Sequence, residues 1–93
     1  MDEERRVRAL AQDRLRAGAL PRDQQERTWA GPGDGRACDL CDNRIIPDDT
    51  EYELQFARPD RPLVVRFHRL CLAVWESERR PGESPQPPSP APA

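Results

Sequence analysis

Four residues with metal-binding side chains occur as two short pairs separated by a long spacer. Cys38 and Cys41 bound the run CDLC, and His68 and Cys71 bound the run HRLC. They account for all 3 cysteines and the 1 histidine of the 93-residue chain. Two Cys/His pairs, each with a two-residue gap, have the spacing of a closed Cys3His zinc site. The pattern therefore predicts one structural Zn²⁺ bound by these four side chains.

A disulfide and a metal-free core are the other interpretations of these residues. Three cysteines cannot all pair within one chain, and the run MDEERRVRAL is charged where a secretory signal would be apolar. We therefore expect a reducing, cytoplasmic setting in which thiolates are free to bind metal. No run approaches the roughly 20 apolar residues of a transmembrane helix, so we expect no membrane contact. A buried neutral His68 with unpaired core cysteines is the alternative that composition leaves open.

The predicted site offers no catalytic position. A zinc ion with four protein ligands has no open site for water or substrate, and the chain has no second histidine to act as a base. Three thiolates and a neutral imidazole also leave a bound Zn²⁺ with an excess of negative charge. Arg44 and Arg69 are close to the ligands in sequence, and we expect them to offset that charge. We therefore expect a protein that is not an enzyme.

The elements that position the ligands can be predicted from local patterns. The run CDLCDNR is typical of a zinc knuckle, a tight turn in which Asn43 tolerates a positive φ. The run EYELQF alternates, LVVRFH can pair with it as a β-hairpin, and RLCLAVWESERR has helical spacing. The expected small core consists of Tyr52, Leu54, Phe56, Val65, Phe67, Leu72 and Trp75.

A second helix is predicted at the N-terminus, over residues 3–17. Acidic residues occupy its first turn, and Gly18 is well placed to end it. Val7, Leu10 and Leu15 form a narrow apolar stripe along it. Because so short a helix is marginal alone in water, the stripe must pack on the zinc domain, on a second copy, or on a partner protein.

The chain divides into four predicted segments. Residues 1–28 form an amphipathic helical segment, and 29–37, with the run GPGDGR, form a Gly-rich linker in which Trp29 covers exposed core. Residues 38–80 form the zinc-finger domain. Its size is near the roughly 40 residues at which a chain needs a metal or disulfides to fold. Residues 81–93 are Pro-rich and lack large apolar side chains, so we expect a disordered tail.

A knuckle, a β-hairpin and a helix whose first turn supplies the second ligand pair resemble the treble-clef zinc fingers. The run CDLC…EYEL…FHRLCLAVWE is also similar to small bacterial zinc-finger proteins. The resemblance covers about residues 36–80. It implies a small α+β, zinc-stabilised domain, here with an added N-terminal helix. Treble clefs bind DNA, RNA, proteins or lipids, so the resemblance does not specify a function.

Charge favours a protein partner over a nucleic acid. All 15 basic residues are arginine, a bias typical of a GC-rich, bacterial genome, and the net charge is −2. Arg58, Arg61 and Arg66 near one end of the hairpin are the candidate phosphate contacts, but acids are interleaved with them. We therefore expect a protein-interaction adaptor. The alternatives are a regulatory nucleic-acid-binding zinc finger and a thiol redox sensor, since any thiolate site can be oxidised.

Deleting residues 81–93 tests the predicted tail. A segment that buries no apolar surface contributes little to folding, so the melting temperature is expected to stay within about 1 °C of the full chain. Thermal unfolding followed by circular dichroism measures this. A loss of several degrees means that the tail packs on the domain.

Overall fold

The computed structural model describes residues 2–79. In chain order the elements are α1 (Asp2–Arg16), β1 (Arg27–Pro32), β2 (Thr50–Phe56), β3 (Leu63–Phe67) and α2 (Arg69–Glu78). The predicted small α+β class is confirmed. The predicted tail at 81–93 lies outside the described residues.

The strands form one antiparallel sheet in the order β1-β2-β3. In the β2–β3 hairpin, Leu54 lies opposite Val65 and Tyr52 lies opposite Phe67. Leu54, Phe56, Val65 and Phe67 are buried, so the alternation predicted the inward face correctly. Tyr52 and Leu72, also expected in the core, are partly buried and pack against its edge.

Trp75 of α2 lies at the centre of the core and is fully buried. Its indole contacts the ring of Phe56 edge-on, with centroids 5.7 Å apart, and the ring of Phe67 at 5.6 Å. The indole Nε1–H donates a hydrogen bond of 2.9 Å to the carbonyl of Pro21, which satisfies its only donor. Trp75 therefore joins the sheet, α2 and the segment that follows α1.

The N-terminal helix packs on its own domain. Gly18, at φ +79°, ends α1 in the left-handed conformation that glycine adopts readily. Val7, Ala11 and Leu15 are buried, and Leu10 packs at the edge of the same core. Three surfaces were possible for the apolar stripe: the zinc domain, a second copy or a partner protein. The stripe packs on the domain of its own chain. The face of Val7, Leu10 and Leu15 is thus not a free partner helix.

The prediction of a linker at 29–37 is wrong for residues 29–32, which belong to a strand. Trp29 to Pro32 belong to β1, an edge strand paired with β2, and Trp29 is 45% exposed rather than covering the core. The chain then passes close to the segment after the knuckle, where Gly33 donates to the carbonyl of Asp49 at 3.0 Å. A Cβ at Gly33 would overlap the carbonyl oxygens of Ile45 and Ile46. The glycine permits close packing here.

Gly33→Ala is expected to lower the free energy of unfolding by about 1–3 kcal/mol, because two backbone carbonyls would have to move. Gly31→Ala is the matched control, since its Cβ would meet open space. That variant is expected to change stability by less than about 0.5 kcal/mol. Urea denaturation of both variants in excess Zn²⁺ measures the difference. Equal stabilities of the two variants would show that the chain at Gly33 is not closely packed against the carbonyls of Ile45 and Ile46.

Candidate metal centre

The knuckle is a turn closed by its own backbone. Cys38 donates to the carbonyl of Asn43 at 2.8 Å, and Asp42 donates to the carbonyl of Cys38 at 2.9 Å. The Leu40 N–H points at the Cys38 Sγ, 3.4 Å away. The left-handed residue is Asp42, at φ +69°, and not Asn43 as expected. Asp shares with Asn a tolerance of this conformation, so the turn forms without a glycine.

His68 and Cys71 are positioned by the passage from β3 into α2. His68 is the extended N-cap residue of α2, at φ −68° and ψ 163°, and Cys71 lies in the first turn. The His68 Nδ1 lies 3.4 Å from the Cys41 Sγ and 4.0 Å from the Cys71 Sγ. The other ring nitrogen, Nε2, lies 3.1 Å from the carbonyl of Arg44. A proton on Nε2 donated to that carbonyl leaves the Nδ1 lone pair directed at the sulfurs.

The four predicted ligands therefore form one cluster. Their ligating atoms all lie within 4.8 Å of one another. Bond lengths of about 2.3 Å to sulfur and about 2.0–2.1 Å to nitrogen put tetrahedral ligand atoms roughly 3.5–3.8 Å apart. The His68 Nδ1 lies 3.4 and 4.0 Å from two of the sulfurs, which is near this range. The donor set and the geometry thus fit one metal ion, as the spacing predicted.

The protonation of the cluster favours a bound cation. A hydrogen bond from the Cys71 thiol, assisted by backbone N–H groups, lowers the pKa of Cys38 to about 4. The same bond and burial raise the pKa of Cys71, and burial raises the pKa of Cys41. The protein alone thus stabilises one thiolate among three sulfurs. A metal ion supplies the positive charge that lets the other two lose their protons.

The two arginines expected beside the site differ in role. The guanidinium of Arg44 donates to the carbonyl of Gly35 at 3.0 Å, so this residue meets His68 through its backbone oxygen and not through its charge. Arg69 lines a cavity of ≈440 Å³ that borders Cys41, His68 and Cys71. That Arg69 offsets the negative charge of the metal centre stays a prediction.

Two residues that sequence reasoning missed hold the knuckle in place. Arg14, from α1, donates from Nε to the Leu40 carbonyl at 2.6 Å and from Nη2 to the Asp42 carboxylate at 2.8 Å. Asp39 exchanges hydrogen bonds with the backbone of Arg66, at 2.7 and 2.8 Å, and so fastens the turn to the outer edge of β3. Both contacts join residues far apart in sequence, so no local pattern indicates them.

The candidate phosphate contacts are largely engaged with acids. Arg58 makes a two-pronged contact with the Asp23 carboxylate at 3.0 and 3.2 Å, and this bond lowers the pKa of Asp23. Arg66 lies in β3 with its Nε 3.4 Å from the carboxylate of Glu51. Arg61 is exposed in the turn between β2 and β3. The three side chains thus do not form one uncompensated positive field.

Comparison with known proteins found no family model, no curated protein and no solved structure that matches the chain. The described residues show a knuckle, a hairpin and a helix, in that order, around a Cys3His cluster. Within residues 2–79, neither helix has the length and apolar character needed to cross a bilayer. The chain contains a small α+β domain with a site able to bind one metal ion.

Proposed function

We propose that this chain is a non-catalytic protein-interaction adaptor whose fold is held by one structural Zn²⁺. The observation that supports this most directly is the position of the four donors. They come from the knuckle, the residue after β3 and the first turn of α2, and their atoms converge within 4.8 Å. A metal bound there would join the knuckle to the passage from β3 into α2.

Zinc is the metal that the donors favour. Thiolates and imidazole in a tetrahedral arrangement suit Zn²⁺, whereas Mg²⁺, Ca²⁺ and Mn²⁺ prefer oxygen ligands. Four protein donors fill the tetrahedral shell, which argues for a structural role. In small fingers such a site contributes folding free energy on the order of 10 kcal/mol. That contribution is comparable with the whole folding free energy of a typical domain, about 5–15 kcal/mol.

The surface charges support a protein partner. Phosphate binding by Arg58 or Arg66 would compete with Asp23 and Glu51, which already contact them. Nucleic-acid affinity depends on net neutralisation of phosphates, and the whole chain carries a formal charge of −2. Exposed arginine–carboxylate pairs instead give a mixed-charge surface of the kind found at the rim of protein interfaces.

The outer edge of β1 is the surface we assign to the partner. Asp39 covers the edge of β3, whereas within residues 2–79 no backbone group bonds the outer edge of β1. In an antiparallel ladder, the backbone groups of successive residues point alternately toward the neighbouring strand and away from it. The Gly33 N–H points toward β2, since it bonds the Asp49 carbonyl. In the same register, the backbone groups of Thr28 and Ala30 point away from β2. Trp29 stands beside this edge, 45% exposed, and aromatic residues commonly anchor interfaces. A partner strand could pair there and contact the indole.

Metal analysis of the untagged protein is expected to give one zinc per chain. Chelation should remove the circular dichroism of the folded domain, and added Zn²⁺ should restore it. Cys71→Ser is expected to abolish folding, because the domain loses one of its four metal bonds. Glu76→Gln, an exposed change on the same helix, should leave the metal content and the melting curve unchanged. A stable, folded, metal-free protein contradicts the proposal.

The partner class is tested by titrating single- and double-stranded nucleic acid at low salt. No appreciable binding of nucleic acid is expected. In a second experiment, a protein that co-purifies with the chain should be lost in the Trp29→Ala variant and kept in the Leu63→Ala variant. Leu63 is the matched control because it is an exposed apolar residue on the opposite edge strand. Micromolar nucleic-acid binding that weakens with salt, and is lost when Arg58, Arg61 and Arg66 become Ala, would overturn the adaptor role.

A further inference from the structure

Arg14 connects the N-terminal helix to the turn that carries two of the metal ligands. It lies in the last turn of α1, next to the buried Leu15, and its side chain is 28% exposed. Its Nε donates to the carbonyl of Leu40 at 2.6 Å, and its Nη2 donates to the carboxylate of Asp42 at 2.8 Å. A single guanidinium thus bonds both the residue before Cys41 and the residue after it.

These two bonds act on the geometry of the turn. The Leu40 carbonyl belongs to the peptide bond that leads into Cys41, so holding this oxygen sets the orientation of the Cys41 backbone. On the other side of Leu40, its N–H points at the Cys38 Sγ, 3.4 Å away. Asp42 has a positive φ of 69°, a conformation that Asp tolerates better than most residues but less readily than glycine. A hydrogen bond to its side chain helps to keep that conformation.

The contact differs from an ordinary surface ion pair. Asp42 has a side chain that is 74% exposed, and exposed pairs contribute little on their own. The bond to Leu40 is different, since Leu40 is fully buried and its carbonyl accepts from a charged donor. Loss of that donor would leave a carbonyl of the turn without the partner that α1 provides.

We propose that Arg14 is a positioning residue of the metal centre, so that metal binding and the docking of α1 stabilise each other. The inference rests on the proposed metal binding by Cys38, Cys41, His68 and Cys71. If α1 raises the affinity of the turn for metal, bound metal must strengthen the docking of α1 by the same factor. The N-terminal helix is then part of the metal site and not a separate segment.

Arg8 provides a matched comparison on the same helix. It also joins α1 to the rest of the domain, through an ion pair with Glu78 near the end of α2, and it is 35% exposed. Its hydrogen bonds go to Glu4, Ser77 and Glu78 and to no residue of the knuckle. Arg8→Ala therefore weakens the docking of α1 without removing a bond to the metal-binding turn.

The test compares the full chain with Arg14→Ala, Arg14→Lys and Arg8→Ala. Zinc affinity is measured by competition with a chromophoric chelator, and ligand geometry by the visible absorption of the Co²⁺ form. Arg14→Ala is expected to weaken zinc binding about 10-fold or more, as for other groups that orient metal ligands, and to alter the Co²⁺ bands. Arg14→Lys should recover part of the affinity, because an ammonium can bond Leu40 but cannot match the two-pronged contact. Arg8→Ala should stay within about twofold of the wild type.

Hydrogen exchange of the full chain measures the reciprocal effect. Zinc is expected to slow exchange of the α1 amides in the wild type and in Arg8→Ala, and to do so much less in Arg14→Ala.

Equal losses of zinc affinity in Arg14→Ala and Arg8→Ala would overturn the proposal, since Arg14 would then act only through general docking of the helix. Unchanged affinity in Arg14→Ala overturns it as well. If Arg14→Ala does not fold in excess Zn²⁺, the comparison of Arg14→Lys with Arg8→Ala decides in the same way. Failure of the wild type to bind zinc would instead contradict the proposed function itself.

Discussion

Three sulfur atoms and one imidazole nitrogen lie within 4.8 Å of one another, and the rest of the domain is arranged around that convergence. Ionised thiols at this distance repel each other, and of the three cysteines only Cys38 has a lowered pKa in the protein without metal. The cluster is therefore favourable when a cation neutralises it. Bringing the four donors together requires that the knuckle, the end of β3 and the start of α2 occupy fixed relative positions. Each of these is held by contacts outside the cluster.

The core and the site are held by the same helix face. Cys71 and Trp75 are one helical turn apart on α2, so the face that presents a sulfur to the cluster also presents the indole to Phe56 and Phe67. Pro21 accepts the indole N–H and so brings the chain after α1 against the same helix. A change in the packing of Trp75 would thus move a metal ligand. Metal binding and hydrophobic packing support the same placement of α2.

The N-terminal helix completes this arrangement, and the surface left for a partner changes as a consequence. The apolar stripe of α1 packs against the core of its own domain. Arg14 contacts the knuckle, and Arg8 contacts the end of α2. Among the described residues, Trp29, Ile46 and Leu63 are the large apolar side chains that stay exposed, and Trp29 lies beside the unpaired edge of β1. The proposed partner surface is therefore the sheet edge, and α1 is proposed to support the metal centre.

The sequence by itself determined the candidate metal ligands, the hairpin and both helices, because each depends on spacing within a short run. Cys38 and Cys41 share a turn, Leu54 and Phe56 alternate along a strand, and the glycine at position 18 ends a helix. Tertiary structure alone decided strand β1. Its sequence, RTWAGP, has no alternating apolar pattern, and it is a strand only because it pairs with Thr50–Phe56. Tertiary structure also decided which surface receives α1 and which oxygen Arg14 contacts. Such pairings join residues far apart in sequence, from Pro32 with Thr50 to Arg14 with Leu40. They depend on how the chain closes on itself, which local periodicity does not encode.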